Sequence, residues 1–203
     1  MSGTLLLALL SALATTAYLG IFVALHVLPT GYNPIRHAVS DYAVGKYGYL
    51  FRIGLWASSL GVLALAFALI HGVGSPPLAH HELVYLFLIP IARIGMTRFP
   101  TDLEGRRRSR TGVLHYVFAI AAFTFTYLAI SDTTPVLRHL SGTVILGSPL
   151  HWVAWLVAPE LALVVITMFR PLRKVFGLFE RLFLLTTNVW FIMVALLLID
   201  RAK

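Results

Sequence analysis

The chain has 203 residues, of which 59% are hydrophobic and 12% charged, with a mean hydropathy of +0.85. A soluble domain is about 45–50% apolar and about 25% charged, so the bilayer is the solvent this composition fits. Cysteine is absent, which excludes disulfides, thiolate metal sites and cysteine nucleophiles; the net charge of +8 is carried by short loops between apolar runs, so no soluble basic domain is left for nucleic acid.

A membrane span needs about 20 apolar residues, and six runs qualify, which predicts an all-α polytopic membrane protein built as a six-transmembrane-helix bundle. Span one covers residues 4–28 and ends at His26 and Pro29. Ala12-Leu13-Ala14 has the form of a cleavage site, but the apolar run continues to Leu28, too long for a signal-peptide core, so the span is read as uncleaved.

The stretch Pro29–Gly48 then interrupts the apolar runs. Asn33-Pro34 reads as a helix start, an N-cap followed by proline, and Gly45 as a stop. Ile35, Ala38, Val39, Tyr42 and Ala43 fall on one helical stripe, with Arg36, His37, Ser40 and Asp41 opposite. The expectation is a short amphipathic helix in the membrane interface that holds His37 and Asp41 one turn apart.

Span two, 49–73, carries Gly54, Ser58 and Gly61, a small-residue face suited to close helix packing. Span three, 79–97, has a short apolar core and contains Pro90 and Arg93. Span four covers 112–131. Span five, 150–169, has Pro159-Glu160 near its centre, and span six, 178–199, has Asn188 near its centre.

Lys and Arg set the orientation. Thirteen of them fall at the connections after spans one, three and five, Arg106 among them, against Arg138, Arg201 and Lys203 on the other side. This places those three connections in the cytoplasm and both termini outside a prokaryotic cytoplasmic membrane. Membrane lipids are then the expected partners, and the arginine-rich stretch 106–110 meets their headgroups.

Polar groups gather at that cytoplasmic level: His26, His37, Ser40, Asp41, Arg52, Arg93, Thr101, Asp102, Glu104 and His115. Ionisable side chains at membrane depth are costly and face a bundle interior or a cavity unless they snorkel to the interface. The expected ligand-binding set is Ser40, Asp41, Arg52, Arg93, Asp102 and His115, with Asp41, Asp102 and His115 around one cavity and Arg93 near its roof. His37, Asp41, Asp102 and His115 are the candidate catalytic groups, and Asp41, Asp102 and His115 the candidate metal ligands, chemistry that suits Zn²⁺ or a similar ion. Glu160 lies near mid-bilayer, where a carboxylate is protonated or paired; Asn188 and Arg93 are its expected partners, and Glu160 and Asn188 complete the ligand-binding set.

On the outer side stand His71, His80, His81, His139 and His151. His81 and His151 open spans three and five at matching depth, an arrangement that could hold haem between facing helices. Ser109-Arg110 followed by His115 is close to a segment of membrane lipid phosphatases, but the spacing is one residue short. Ala119 also stands where an Asp belongs, and no Ser-Gly-His segment occurs, so that assignment is rejected.

The segments from His26 to Asp41, Arg93-Ile-Gly, Phe99-Pro-Thr-Asp102 and Gly112-Val-Leu-His115 resemble the small prokaryotic six-span membrane proteins grouped as domain of unknown function 998. The resemblance covers nearly the whole chain and implies an architecture rather than an activity. Three functions are compatible with these residues: binding or translocation of a lipid headgroup or small amphiphile, an intramembrane lipid-modifying enzyme, and a haem electron carrier. The cofactor and the oligomeric state are not specified by the sequence.

Overall fold

The computed structural model describes residues 2–73, 78–103, 107–140 and 144–202, with side chains described outside 138–148. Glu104, Arg106, Lys203 and the side chains of Arg138 and His139, named above, lie outside the described residues. The described chain forms α1 (Gly3–Val27), α2 (Gly48–Gly72), α3 (His80–Arg98), α4 (Arg110–Leu140), α5 (Val144–Thr167) and α6 (Phe176–Arg201), and no strand occurs among the described residues. Two short 3₁₀ helices, Val39–Val44 and Leu172–Val175, lie in the connections before α2 and α6.

Helices adjacent in the chain are adjacent in space, and α1 meets α6 to close the ring. α2 and α6 also touch across the middle. Their side chains Leu65, Leu69, Trp190, Phe191 and Val194 are almost completely buried, together with Leu86 and Ile89 of α3. Leu13, Val27, Ile120, Trp152 and Trp155 remain exposed on the outside, as expected of a surface that meets lipid rather than water.

The local causes are legible. Ser2 caps α1 by accepting from the Leu5 N–H at 3.2 Å, and Leu28-Pro29 ends it. The small face of α2 packs on α1: a Cβ at Gly61 would stand 2.6 Å from Thr15 Oγ1, and one at Gly54 would press on Tyr18 and Ile21. α4 runs on past the expected end at 131 through Asp132, Thr133 and Thr134. Thr134 donates to the Ile130 carbonyl at 2.5 Å and accepts from Trp190 Nε1 at 3.0 Å, so a polar stretch that lowers hydropathy stays helical.

Five described helices are long and apolar enough to cross a membrane, and α3 is not among them. Its 19 residues rise about 28 Å. Its apolar content is reduced by Glu82 and Arg93, and both are buried rather than turned outward. Glu82 caps the helix, its Oε2 accepting from the Ala79 N–H at 2.8 Å.

Candidate functional site

The connection from α1 to α2 is not the single amphipathic helix expected from Asn33 to Gly45. Residues 34–36 form a turn, Ala38 is extended at ψ 151°, and helical structure resumes only as the 3₁₀ helix Val39–Val44. Asn33 does cap, its Oδ1 accepting from the N–H groups of Ile35 (2.9 Å) and Arg36 (3.4 Å). His37 closes the turn, because its Nδ1 accepts from the Asn33 N–H at 2.9 Å and its own N–H reaches the Asn33 carbonyl at 2.8 Å. The expected stripe fails with the helix: Ile35 is exposed, while Asp41 is buried beside Val39 and Tyr42. Ser40 is half-buried.

The backbone groups that a continuous helix would have used are bound by the start of α6. Leu178 N–H donates to the Ile35 carbonyl at 3.0 Å. Glu180 Oε2 accepts from the Val39 N–H at 2.6 Å. Arg181 Nη1 donates to the His37 carbonyl at 2.7 Å and to the Gly177 carbonyl at 2.9 Å. A side chain at Gly177 could not fit against the Pro34 and His37 carbonyls, so that close approach requires glycine.

Arg181 is the centre of this clasp, and it is almost fully buried. Its Nε–H donates to His26 Nε2 at 2.6 Å, its Nη2 reaches the Tyr42 hydroxyl at 3.2 Å, and its guanidinium lies 5.7 Å from the Tyr42 ring centre. His26 Nδ1 lies 2.6 Å from the Phe22 carbonyl. A carbonyl can only accept and a guanidinium can only donate, so the ring is the neutral tautomer with its proton on Nδ1. Asp41 sits close enough to Tyr32 that its charge, after desolvation by burial, helps raise the Tyr32 phenol above its ordinary pKa. Residues 26, 180 and 181 thus join a buried polar cluster in which sequence reading had placed His26 only. The available signal was an adjacent Glu-Arg pair inside the first turns of an apolar span.

The second polar group closes the connection from α3 to α4. Ser109 is the N-cap of α4, its Oγ accepting from the Gly112 N–H at 3.0 Å. Asp102 in turn accepts from the Ser109 N–H at 2.7 Å and from its hydroxyl at 2.8 Å. These two bonds hold the Asp102 carboxyl below its ordinary range. Gly112 leaves room for the carboxylate, which a Cβ there would overlap. His115 is 1% exposed; its Nδ1 lies 2.8 Å from the Phe99 carbonyl, and its Nε2 has no partner among the described residues.

Asp102 and His115 therefore belong to one connection, whereas Asp41 lies in the 3₁₀ helix Val39–Val44, whose Val39 N–H is bound by Glu180 of α6. Among the described residues no three His, Asp or Glu side chains are grouped to hold a metal ion, so the expected Asp41, Asp102 and His115 ligand set is not assembled. The physical reason is that the Asp102 carboxylate is bound by Ser109 and His115 Nδ1 meets the Phe99 carbonyl, while Asp41 lies in a different connection.

Arg93 does not roof a shared Asp–His cavity. Its Nη1 donates to Ser58 Oγ at 2.6 Å, and its guanidinium lies 5.8 Å from the Phe191 ring centre, within the bundle between α2 and α6. Nor do Asn188 and Arg93 pair with Glu160: Glu160 Oε1 accepts from Thr186 at 2.8 Å, while Asn188 Nδ2 donates back to the Leu184 carbonyl at 2.7 Å. Glu160 Oε2 and Asn188 Oδ1 are buried without partners among the described residues. On the far side, His81 Nε2 lies 3.5 Å from Asp132 Oδ2, and His151 is exposed beside Trp152, so His81 is turned to a carboxylate and not to His151.

Of the expected set, Arg52 faces open space. A cleft of about 280 Å³ lies between the 3₁₀ helix Val39–Val44, the start of α2 and the end of α3. Arg52, Thr97 and Thr101 line it with Ala43, Val44, Met96 and Pro100. The Thr97 hydroxyl donates to the Ile94 carbonyl at 2.8 Å and that of Thr101 to the Asp102 carbonyl at 3.4 Å, so both hydroxyl protons are engaged within the chain.

The family model described as Protein of unknown function (DUF998) matches residues 12–197. No curated protein and no solved structure matches the chain.

Proposed function

The chain belongs to the DUF998 family, whose description assigns no activity, and from its own residues we propose a membrane protein that binds the anionic headgroup of a lipid or small amphiphile in the Arg52 cleft. The observation that carries this reading is the cleft itself: an exposed guanidinium above Met96, Ala43 and Val44, at the level where α2 begins and α3 ends. Its mixed lining would fix a charged head at Arg52 and leave an acyl chain against apolar walls. Arg93 stands one helical turn deeper than Met96 and Thr97 on α3, buried in the bundle, a second positive charge behind the cleft floor. On this reading α3 is the sixth span, its polar groups turned inward.

The same proposal puts the cleft in the cytoplasmic leaflet of a prokaryotic membrane with both termini outside, because the basic residues are concentrated in the three connections at this end. A cytoplasm-dependent reporter fused after residue 203 should be inactive; strong activity would reverse the orientation.

The binding test is retention of short-chain anionic lipid by purified protein in native mass spectrometry. Arg52→Gln should lower retention about tenfold while leaving the unfolding midpoint unchanged. Equal retention by the variant and the wild type would remove the cleft as the binding site.

A further inference from the structure

Among the described residues, no group of opposite charge meets Arg93. The side chain is 5% exposed, and its contacts are with neutral groups. Nη1 donates to Ser58 Oγ at 2.6 Å and reaches the Ser58 carbonyl at 3.5 Å, and the guanidinium lies 5.8 Å from the Phe191 ring centre. No carboxylate pairs with it among the described residues, and its Nε and Nη2 protons meet no acceptor there.

The placement is not that of an arginine reaching back to the interface. Arg93 stands five residues before the end of α3 at Arg98, about 8 Å inside that end. Its partner Ser58 lies ten residues into α2 from Gly48, about 15 Å deep. The side chain therefore runs inward. Tyr18, nine residues before the end of α1 at Val27, stands at a matching depth of about 14 Å. Its phenol is within electrostatic reach of the Arg93 guanidinium, and its hydroxyl has no hydrogen-bond partner among the described residues. Ser58 Oγ accepts from Arg93 and keeps its own proton to donate. Glu180 is also within reach of Tyr18, but its carboxylate accepts from the Val39 N–H and faces Arg181 and Asp41. Asn188, one turn before Phe191 on α6, donates to the Leu184 carbonyl and supplies no counter-charge.

A charge in a low-dielectric interior is costly, and a group of opposite sign relieves that cost. We propose that Arg93, Ser58 and Tyr18 form a site for a small monovalent anion of the halide class, such as chloride. One guanidinium fixes one negative charge, and protons from α1, α2 and α3 are left to point at a single ion. Tyr18 packs in one cluster with Phe22, Leu55, Ala92 and Met96, so the ion there is small and nearly dehydrated. Met96, one turn from Arg93 on α3, lines the Arg52 cleft, and its flexible side chain is the barrier between that cleft and the site. The cleft serves as an entrance, and the site does not depend on a headgroup binding at Arg52.

The test uses the full chain in neutral-lipid nanodiscs, with sodium chloride replacing sodium gluconate at constant ionic strength. Chloride should raise the thermal unfolding midpoint along a saturating curve, as an ion bound to the folded state alone does. Gluconate, an organic anion too large for the site, sets the baseline. Arg93→Gln should remove the chloride dependence. Tyr18→Phe, which keeps the ring and removes one donor, should raise the half-saturating concentration about fivefold. Arg52→Gln should leave the curve in place. Should Arg93→Gln fail to fold, the wild type still decides the matter: crystals grown in sodium bromide should show an anomalous peak between Arg93, Ser58 and Tyr18. Absence of a saturable chloride effect, or bromide bound only elsewhere, overturns the proposal. A chloride effect lost in Arg52→Gln and kept in Arg93→Gln also overturns it, by placing the ion in the cleft. Headgroup binding is read separately from lipid retention, so either reading can fail while the other stands.

Discussion

Replacing Arg181 by alanine should be the most destabilising single change at this end of the bundle. Its buried guanidinium donates to His26 Nε2, the His37 carbonyl, the Gly177 carbonyl and the Tyr42 hydroxyl. Hydrogen bonds to a charged group contribute about 1.5–3 kcal/mol each, and a buried acceptor left bare costs about 1–3 kcal/mol. The Gly177 carbonyl lies within α6 and the Tyr42 hydroxyl can rotate, so the bare acceptors that matter are His26 Nε2 and the His37 carbonyl. Removing a desolvated charge gives part of the loss back. The expected net destabilisation is about 3–5 kcal/mol. Arg181→Lys should recover about half of it, because one ammonium cannot reach His26 and the His37 carbonyl in the fork geometry of arginine. The assay is reversible unfolding in mixed micelles, with amide exchange across residues 35–44 as a local readout. Exchange there should rise more than in α3. An Arg181→Ala protein within about 1 kcal/mol of wild type, with unchanged exchange at 35–44, would refute the view that this side chain holds the connection to α6.

Glu160→Gln should leave stability within about 1 kcal/mol of wild type, since an amide oxygen can still accept from Thr186, and a larger loss in the unfolding titration would mean that the carboxyl does more than tie α5 to α6. Gly112→Ala should cost about 1–3 kcal/mol and expose the amides of residues 107–112 to exchange, because the new methyl occupies the place of the Asp102 carboxylate. The Ser109 bonds favour the ionised form of Asp102, so their contribution is fully present above its ordinary pKa near 4 and is lost as the pH falls through the lower folded value. The protection factor of the Ser109 amide, taken relative to the intrinsic exchange rate at each pH, should therefore fall on acidification in the wild type, and Asp102→Asn should flatten that dependence.

Much of the bundle is visible in the sequence because apolar runs of span length carry their own signal. What the runs mis-stated was their ends, as at α4, where Thr134 pays its hydroxyl back to Ile130 and the helix continues. The connection after α1 was misread for a different reason. Asn33-Pro34 is a true local capping signal, but the break at Ala38 is set by Glu180 and Arg181, and the Val39–Glu180 bond joins residues 141 apart in the chain. No local pattern contains that information. Asp102 and His115 are legible as polar residues flanking one connection, since both fall within the short polar stretch between two apolar runs. Their expected grouping with Asp41 is not assembled, since Asp102 is bound by Ser109 within its own connection while Asp41 lies in the separate 3₁₀ helix Val39–Val44. Arg52 was recognisable as an interfacial cation, whereas the apolar lining around it comes from three separate elements.

The fastening of the first connection to the last helix imposes an order on biosynthesis. α1 and α2 leave the ribosome long before Glu180 and Arg181 exist, so the Ile35 carbonyl, the Val39 amide and His26 must wait without their final partners. A nascent chain stopped after α5 can pair its early helices yet cannot fasten residues 35–42. Completion of α6 closes the seam with α1 and captures that segment in one event. A membrane protease that recognises an unfastened segment there would distinguish an unfinished chain from a finished one by the same bonds that hold the mature protein together.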